Sequence, residues 1–397
     1  MARYGLPDQV EFCSRCVMSN QKVTPSVVQN DSRDGEKHTL IFNDGVCSAC
    51  RVHDLKESQI DWGQRELELV KLLDKYRSKN GSYDCIVPGS GGKDSIFQSH
   101  ILKTKYGMNP LTVTWSPHLY TDIGRQNFDN WIHKGGFDNF LFTPDGEKHA
   151  LLTRLAYENL LHPFQPFIFG QRNFVMHMAQ KFNIKLIFFG ENPAEYGGFE
   201  NEENSSRMAP SYFVDDNREA MRVSGLSLEQ LYTQYNISAQ DLSLYLPLTT
   251  EQHNSSNLDP RWLGYYLPFH PQANYYYAKE HCDFQPNDQR TEGTYSRYNS
   301  IDDRVDGFHY WCGHVKFGIG RTTHEASQEI RNGDLTREEG VALVHKYDGE
   351  LPKRYFKDFL EYTQLSEEKF FAIADSFRPE HLWCKINGEW ELKHKVK

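Results

Sequence analysis

Two groups of residues in this sequence have the types and the spacing to do chemistry. The first is Pro88-Gly89-Ser90-Gly91-Gly92-Lys93-Asp94-Ser95, set between an apolar stretch, Asp84-Cys-Ile-Val, and a segment of helical pattern. Glycines let a backbone turn tightly and approach a ligand closely. A helix N-terminus adds unpaired N–H groups and the positive end of its dipole. With the hydroxyls of Ser90 and Ser95 these form a cradle for a pyrophosphate. Lys93 would neutralise phosphate charge there, and Asp94 would hold a magnesium ion bridging phosphate oxygens. The second group is Cys13-Ser-Arg-Cys16 and Cys47-Ser-Ala-Cys50, two pairs separated by 30 residues. Such spacing predicts a tetrahedral zinc site of Cys13, Cys16, Cys47 and Cys50, closed to further ligands and therefore structural.

The elements around the loop must hold it at the end of a strand. Strands are expected at Tyr83 to Pro88, Leu111 to Trp115, Phe140 to Thr143 and Ile184 to Phe189. Helices are expected at Lys93 to Tyr106, Arg125 to Lys134, Lys148 to Leu161 and Ile168 to Phe182. This alternation predicts an α/β fold, a doubly wound parallel sheet with helices on both faces. Ligands of such sheets bind beyond the carboxyl ends of strands, which puts Gly190, Glu191 and Asn192 in the same crevice as the loop. A simple strand-ending turn is the alternative for each of them. Leu67, Val70, Leu73 and Tyr76 recur at helical spacing in a linking helix over Trp62 to Lys79.

Beyond this core the pattern weakens. Residues 191–220 hold eight acids and two bases and read as a polar insertion, and 261–312 are Tyr-rich with little periodicity. Helices return at Thr336 to His345, opened by a capping-box pattern, Arg354 to Thr363 and Ser366 to Ser376. The chain therefore divides into a four-cysteine module (1–60), the α/β domain (61–195), an insertion with an aromatic-rich substrate region (196–320) and a helical C-terminal region (321–397). Aromatic faces and Arg forks in 261–321 would suit a glycosyl nucleotide, with at least one of Tyr275, Tyr276 and Tyr277 in the core. His309-x-x-Cys312-x-His314 matches no standard metal-ligand spacing and reads as packing or substrate contact.

Composition narrows the classes. The 397 residues include 44 Lys plus Arg against 54 Asp plus Glu, a net charge of −10 with no long basic tract, which speaks against nucleic acid as a partner. No run approaches the roughly 18 apolar residues of a membrane span, and the first residues lack a secretory leader, so a cytoplasmic protein without membrane contact is expected. Four of the eight cysteines lie in the two pairs; Cys85, Cys282, Cys312 and Cys384 are scattered. None sits in the context of a glutaminase nucleophile.

The loop is neither a Walker motif nor a dinucleotide fingerprint. It resembles the Ser-Gly-Gly-x-Asp-Ser signature of the PP-loop (N-type) ATP pyrophosphatases. That resemblance implies their HUP-type α/β fold and ATP cleavage between the α and β phosphates. Gly-Glu-Asn-Pro-Ala after the strand at 184–189, Gly293-Thr-Tyr-Ser296, Ser300-Ile-Asp-Asp303, Lys316-Phe-Gly-Ile-Gly-Arg321 and Thr336-Arg-Glu-Glu339 extend it over nearly the whole chain. Together they resemble the N-acetyl sugar amidotransferases of surface-polysaccharide biosynthesis, of the WbpG/PseA type.

This resemblance implies that ATP adenylates an N-acetyl oxygen of a nucleotide-activated sugar, a UDP-linked diacetamido uronic acid, and that ammonia displaces AMP to give an acetamidino group. The setting would be lipopolysaccharide O-antigen biosynthesis. Ammonia would come from a separate HisH-like glutaminase with a HisF-like subunit. ATP, Mg2+ and Zn2+ are the implied cofactors. Lys316 and Arg321 become candidates for the α-phosphate or a substrate carboxylate. His324 stands where an acidic residue is expected and receives no role. A PP-loop tRNA thiolation enzyme, or a non-enzymatic nucleotide-binding scaffold for a glutaminase, are the competing readings.

Overall fold

Short apolar strands buried on both faces need cover on both sides, and helices between them supply it. The computed structural model describes residues 2–23, 31–190, 193–196 and 205–397. Its sheet contains β1 (Cys85–Pro88), β2 (Pro110–Trp115), β3 (Asn139–Phe142), β4 (Leu186–Phe189) and β5 (Asp259–Trp262), in the order β3-β2-β1-β4-β5. Every neighbouring pair is parallel. Chain direction across the sheet reverses between β1 and β4, the place where doubly wound folds open a crevice.

The helices that frame the sheet and the site are, in chain order, α1 (Ser48–Gln59), α2 (Trp62–Tyr76), α3 (Lys93–Thr104), α4 (Asp122–Gly135), α5 (Gly146–Leu160) and α6 (Gln165–Phe182). After the sheet come α7 (Pro271–Cys282), α8 (Asp306–Phe317), α9 (Arg321–Asn332), α10 (Arg337–Tyr347), α11 (Phe356–Thr363) and α12 (Glu367–Phe377). Successive strand residues point to opposite faces. Cys85, Val87, Leu186 and Phe188 accordingly pack with Leu69 and Leu73 of α2 and Leu102 of α3. Ile86, Leu111, Val113 and Trp115 face Leu152 and Leu155 of α5 and Phe174 and Val175 of α6.

Three features differ from the sequence reading. The last strand of the sheet is not 184–189 but β5, reached after the insertion. Its sequence, Asp-Pro-Arg-Trp, has no apolar run to detect. It is buried because Arg261 donates to both carboxylate oxygens of Asp259, at 2.8 and 2.9 Å, and Tyr76 adds a bond of 2.8 Å. The aperiodic 261–312 segment contains α7, which lies against α3: Tyr277 packs edge-on to Phe97 and hydrogen-bonds His100 at 2.8 Å. The C-terminal region is helical as expected but closes with a hairpin, Trp383–Ile386 with Glu389–Leu392. Its turn, Asn387-Gly388, takes positive φ at both residues, the conformation a tight hairpin needs.

The N-terminal segment shares its core with the C-terminal region. Val17 packs with Ala326 and Val396, and the cysteine cluster packs with Ile319. The Tyr4 hydroxyl donates to the Phe377 carbonyl at 2.8 Å, and Arg337 reaches the Cys13 carbonyl at 3.3 Å. Among the described residues, no helix is long and apolar enough to cross a membrane.

Candidate functional site

The glycine loop turns from the end of β1 into α3, with Gly92 as the N-terminal cap. Gly91 has φ +87°, and a Cβ there would lie 2.6 Å from the Phe128 Cα of α4. Only glycine fits that approach. Lys93 Nζ donates to Asp94 at 2.7 Å, and the other Asp94 oxygen accepts from Asn274 of α7 at 2.9 Å. The Ser95 hydroxyl turns back to the Gly92 carbonyl at 2.9 Å, so it braces the loop. Gly190, at the end of β4, is pressed against Gln98 of α3, where a Cβ would lie 2.1 Å from its side-chain nitrogen. Glu191 and Asn192 lie outside the described residues.

The segment Ser300-Ile-Asp-Asp303 packs onto this loop, a role its residue types alone did not reveal. Ser90 donates to Asp302 at 2.7 Å. Burial pushes the Asp302 carboxyl up from its ordinary range, against the bond from Ser90. Asp303 accepts from the His118 ring and backbone N–H, at 2.7 and 2.8 Å, and from the Val305 N–H at 2.9 Å. These bonds tie the segment to the loop after β2. Asp306, at the start of α8, is pushed up to about 6, first by burial, with Arg321 opposing.

Two adjoining cavities, each of about 590 Å³, open at this end of the sheet. One is walled by Lys93, Asp94, Asn299, Tyr310, Arg321 and His324. The other runs along the ends of β1, β4 and β5, where Pro88, Gly190 and Trp262 meet Lys22, Arg172 and Lys316. Lys22, Asp94 and His309 belong to both.

Lys316 and Arg321, both candidates for the α-phosphate or a substrate carboxylate, line different chambers. Lys316 donates to the Leu160 carbonyl at 2.8 Å, and burial lowers it to about 8. Arg321 is bonded to Glu325 and lies 4.1 Å from the centre of the Tyr310 ring. Burial works against its charge, but Tyr310, Glu325 and Asp306 hold its pKa above the ordinary arginine value. His309 and His324 are held neutral by burial.

One expectation is corrected, that the Arg forks of this segment face a ligand. Arg290 is bound to Glu350 of the chain itself, at 2.6 and 2.8 Å, so its fork is occupied. Tyr275 stacks on Tyr298 at 4.2 Å and Tyr276 is exposed, so the tyrosine row serves packing and surface. The aromatic cavity wall comes instead from Phe189, Tyr212, Trp262, Tyr310 and Phe317. Gly293-Thr-Tyr-Ser296 buttresses α9: Thr294 bonds Glu325, and Tyr295 bonds Glu329 at 2.6 Å. His309 stacks on His162 at 4.9 Å, a packing role.

The four paired cysteines come together. Their sulfurs lie within 4.8 Å of one another, with Cys13–Cys50 at 3.9 Å and Cys16–Cys47 at 3.7 Å. A zinc tetrahedron with Zn–S bonds of about 2.3 Å has sulfur–sulfur edges of about 3.8 Å. The cluster is compatible with that ion and, among the described residues, is the only such group.

Residues 292–397 match the family described as LPS biosynthesis protein WbpG-like, C-terminal domain. The motifs from Gly293 to Glu339 lie inside that match. A stretch of 46 residues is 41% identical to the uncharacterized protein MJ1599 of Methanocaldococcus jannaschii. That stretch spans 12% of this chain and 17% of the relative's length. The solved structure of NMN synthetase from Francisella tularensis aligns over 79% of this chain and 97% of its own, at 10% identity and a TM-score of 0.34.

Proposed function

From the premise that the C-terminal region belongs to the WbpG-like LPS biosynthesis proteins, and that it packs onto a glycine loop of PP-loop type, we propose that the chain is an ATP-dependent amidotransferase. Its acceptor is an N-acetyl group on a nucleotide-activated sugar, a UDP-linked diacetamido uronic acid. The observation that carries this reading is the junction of two adjoining cavities at Asp94, one holding the phosphate loop's lysine and the other lined with cations and aromatic rings.

The acetamido oxygen attacks the α-phosphorus of ATP, and the bond to pyrophosphate breaks. Ammonia then adds to the imidate carbon; the C–O bond breaks, AMP leaves, and a proton is lost to give the acetamidino group. The loop from Ser90 to Ser95 holds the pyrophosphate portion, and Lys93 balances the charge that develops as it leaves. Asp94 would hold Mg2+, which would supply positive charge to the phosphates. Arg321, which lines the loop's chamber, would contact the α-phosphate. Cys13, Cys16, Cys47 and Cys50 would hold a structural Zn2+. A separate HisH-like glutaminase with a HisF-like subunit supplies ammonia, and the reaction belongs to the cytoplasm.

Purified protein with Mg-ATP, ammonium and a UDP-diacetamido uronic acid is expected to yield AMP, pyrophosphate and a sugar lighter by about one dalton, the exchange of O for NH. AMP without the mass change would move the search to another acceptor. No AMP with every component and partner present would favour the scaffold reading, and tight binding of bulk tRNA at physiological salt would favour tRNA thiolation.

A further inference from the structure

Among the described residues, the chamber along β1, β4 and β5 holds more positive charge than its acids balance. Lys22, Lys37, Arg172 and Lys316 wall it, and Asp31 and Asp94 are the acids among its described residues. Asp31 is paired with Lys37, and Asp94 with Lys93. That leaves three cations without a carboxylate among the described residues. Lys316 has only a carbonyl acceptor. Arg172 has its buried Nε without a partner. Lys22 has its backbone bonded to Ser19 and Leu40, and its ammonium has no hydrogen-bond acceptor among the described residues. Burial lowers Lys22 to about 8 and Arg172 to about 10. His162 and His309 face the same space and are held neutral by burial, so they add no charge.

Uncompensated cations in a desolvated hollow are costly to the empty protein, and an anion is the group that relieves them. We propose that this chamber is the subsite for the anionic part of the acceptor, carrying at least two negative charges as a diphosphate does, and that Lys22 is one of its binding residues. The assignment of that anion to a sugar nucleotide rests on the function proposed above. Two polyanions side by side need cations of their own: Lys37, Arg172 and Lys316 line this chamber alone, and Lys22 stands at its junction with the other. The loop's chamber already has Lys93, Arg321 and the start of α3 for ATP. The second chamber adds Phe189, Tyr212 and Trp262, flat apolar faces suited to a sugar or a base.

Lys22 is supplied by the four-cysteine segment. It lies between buried Gln21 and Val23, whose bridge to Thr39 ties it to the strand leading to the cysteine hairpin. The metal-binding module is thereby part of the substrate site as well as a brace.

The test is calorimetric titration of the zinc-loaded full chain with UDP-glucuronic acid, which carries a diphosphate and a carboxylate, and separately with Mg-AMPCPP. Lys22→Met, at the junction of the two chambers, is expected to weaken UDP-glucuronic acid at least tenfold and by more than it weakens Mg-AMPCPP, with Lys22→Arg restoring most of the loss. Lys316→Met, which lines this chamber and not the loop's, is expected to weaken UDP-glucuronic acid at least tenfold and leave Mg-AMPCPP within twofold. Zinc content and melting temperature report whether each variant folds. Unchanged binding in both folded variants, or a loss confined to Mg-AMPCPP, overturns the inference while the proposed function stands. A wild-type chain that binds Mg-AMPCPP but not UDP-glucuronic acid overturns the acceptor class itself.

Discussion

Gly91→Ala separates close approach from ordinary glycine flexibility. Alanine at φ +87° pays the left-handed penalty of about 1–2 kcal/mol. It also places a Cβ 2.6 Å from the Phe128 Cα and 2.8 Å from its nitrogen, backbone atoms that cannot rotate away. Restoring a contact of about 3.4 Å requires loop or α4 to move by most of an ångström, and overpacking of that kind costs a further 1–3 kcal/mol or so. Gly81 is the internal control: its φ is +81°, but a Cβ there meets nothing within 4 Å. Gly81→Ala should therefore lose about 1–2 kcal/mol, and Gly91→Ala about 2–5. At about 2.1 cal/mol/K of unfolding entropy per residue, each kcal/mol lowers the melting temperature of this chain by about 1 °C.

Function should divide the two variants more sharply. A displacement near 1 Å in a positioned phosphate site costs about a hundredfold in rate. Gly91→Ala is expected to lose that much of ATP-to-AMP turnover, with Mg-AMPCPP affinity reduced alongside, while Gly81→Ala keeps both. Thermal melting, pyrophosphate release and calorimetry read the three quantities. Equal behaviour of the two variants in all three would refute the claim that α4 packs against the loop.

Other outcomes follow from the same structure. Lys22 and Lys316 are lowered to about 8, so the empty protein gains stability as pH rises from about 8 toward the unfolded lysine value near 10.5. An anion favours their charged forms, so UDP-glucuronic acid should bind with proton uptake above pH 8. Its affinity should fall by up to about tenfold per pH unit for each lysine; a flat profile from pH 7 to 9.5 contradicts this. Metal analysis should find one zinc per chain. Its removal by a chelator should lower the melting temperature and weaken UDP-glucuronic acid more than Mg-AMPCPP, because the module carries Lys22. Asp303→Ala strips a sealed acceptor from the His118 ring and from the N–H groups of His118 and Val305, and should cost about 3–5 kcal/mol in urea denaturation.

The parts of this site legible in the sequence are those whose chemistry is local. The loop at 88–95 was readable because glycines, a lysine, an acid and a helix start lie within eight residues. The four cysteines were readable because ligand spacing is itself a signal. β5 was not, since its burial rests on Asp259, Arg261 and Tyr76 rather than on an apolar run. Asp302 was visible as a motif, but its hold on Ser90 spans 212 residues of chain and appears only when the segment is folded back. Lys22 is the extreme case: one lysine in a polar stretch, given meaning only by the cavity that two distant parts of the chain close around it. The closing hairpin has a local turn signal in Asn387-Gly388, but its strands, Trp-Cys-Lys-Ile and Glu-Trp-Glu-Leu, are too short and too mixed in polarity to stand apart from the helical run before them.

The central claim is that the acetamido oxygen is adenylated before ammonia enters. The direct measurement uses UDP-diacetamido uronic acid carrying 18O in its acetamido groups, with Mg-ATP and ammonium, and mass spectrometry of AMP and sugar. The account predicts AMP heavier by about two daltons, one AMP for each acetamidino group formed, and loss of label from the reacted group alone. Unlabelled AMP, with the 18O kept in the sugar or released to water, would contradict it.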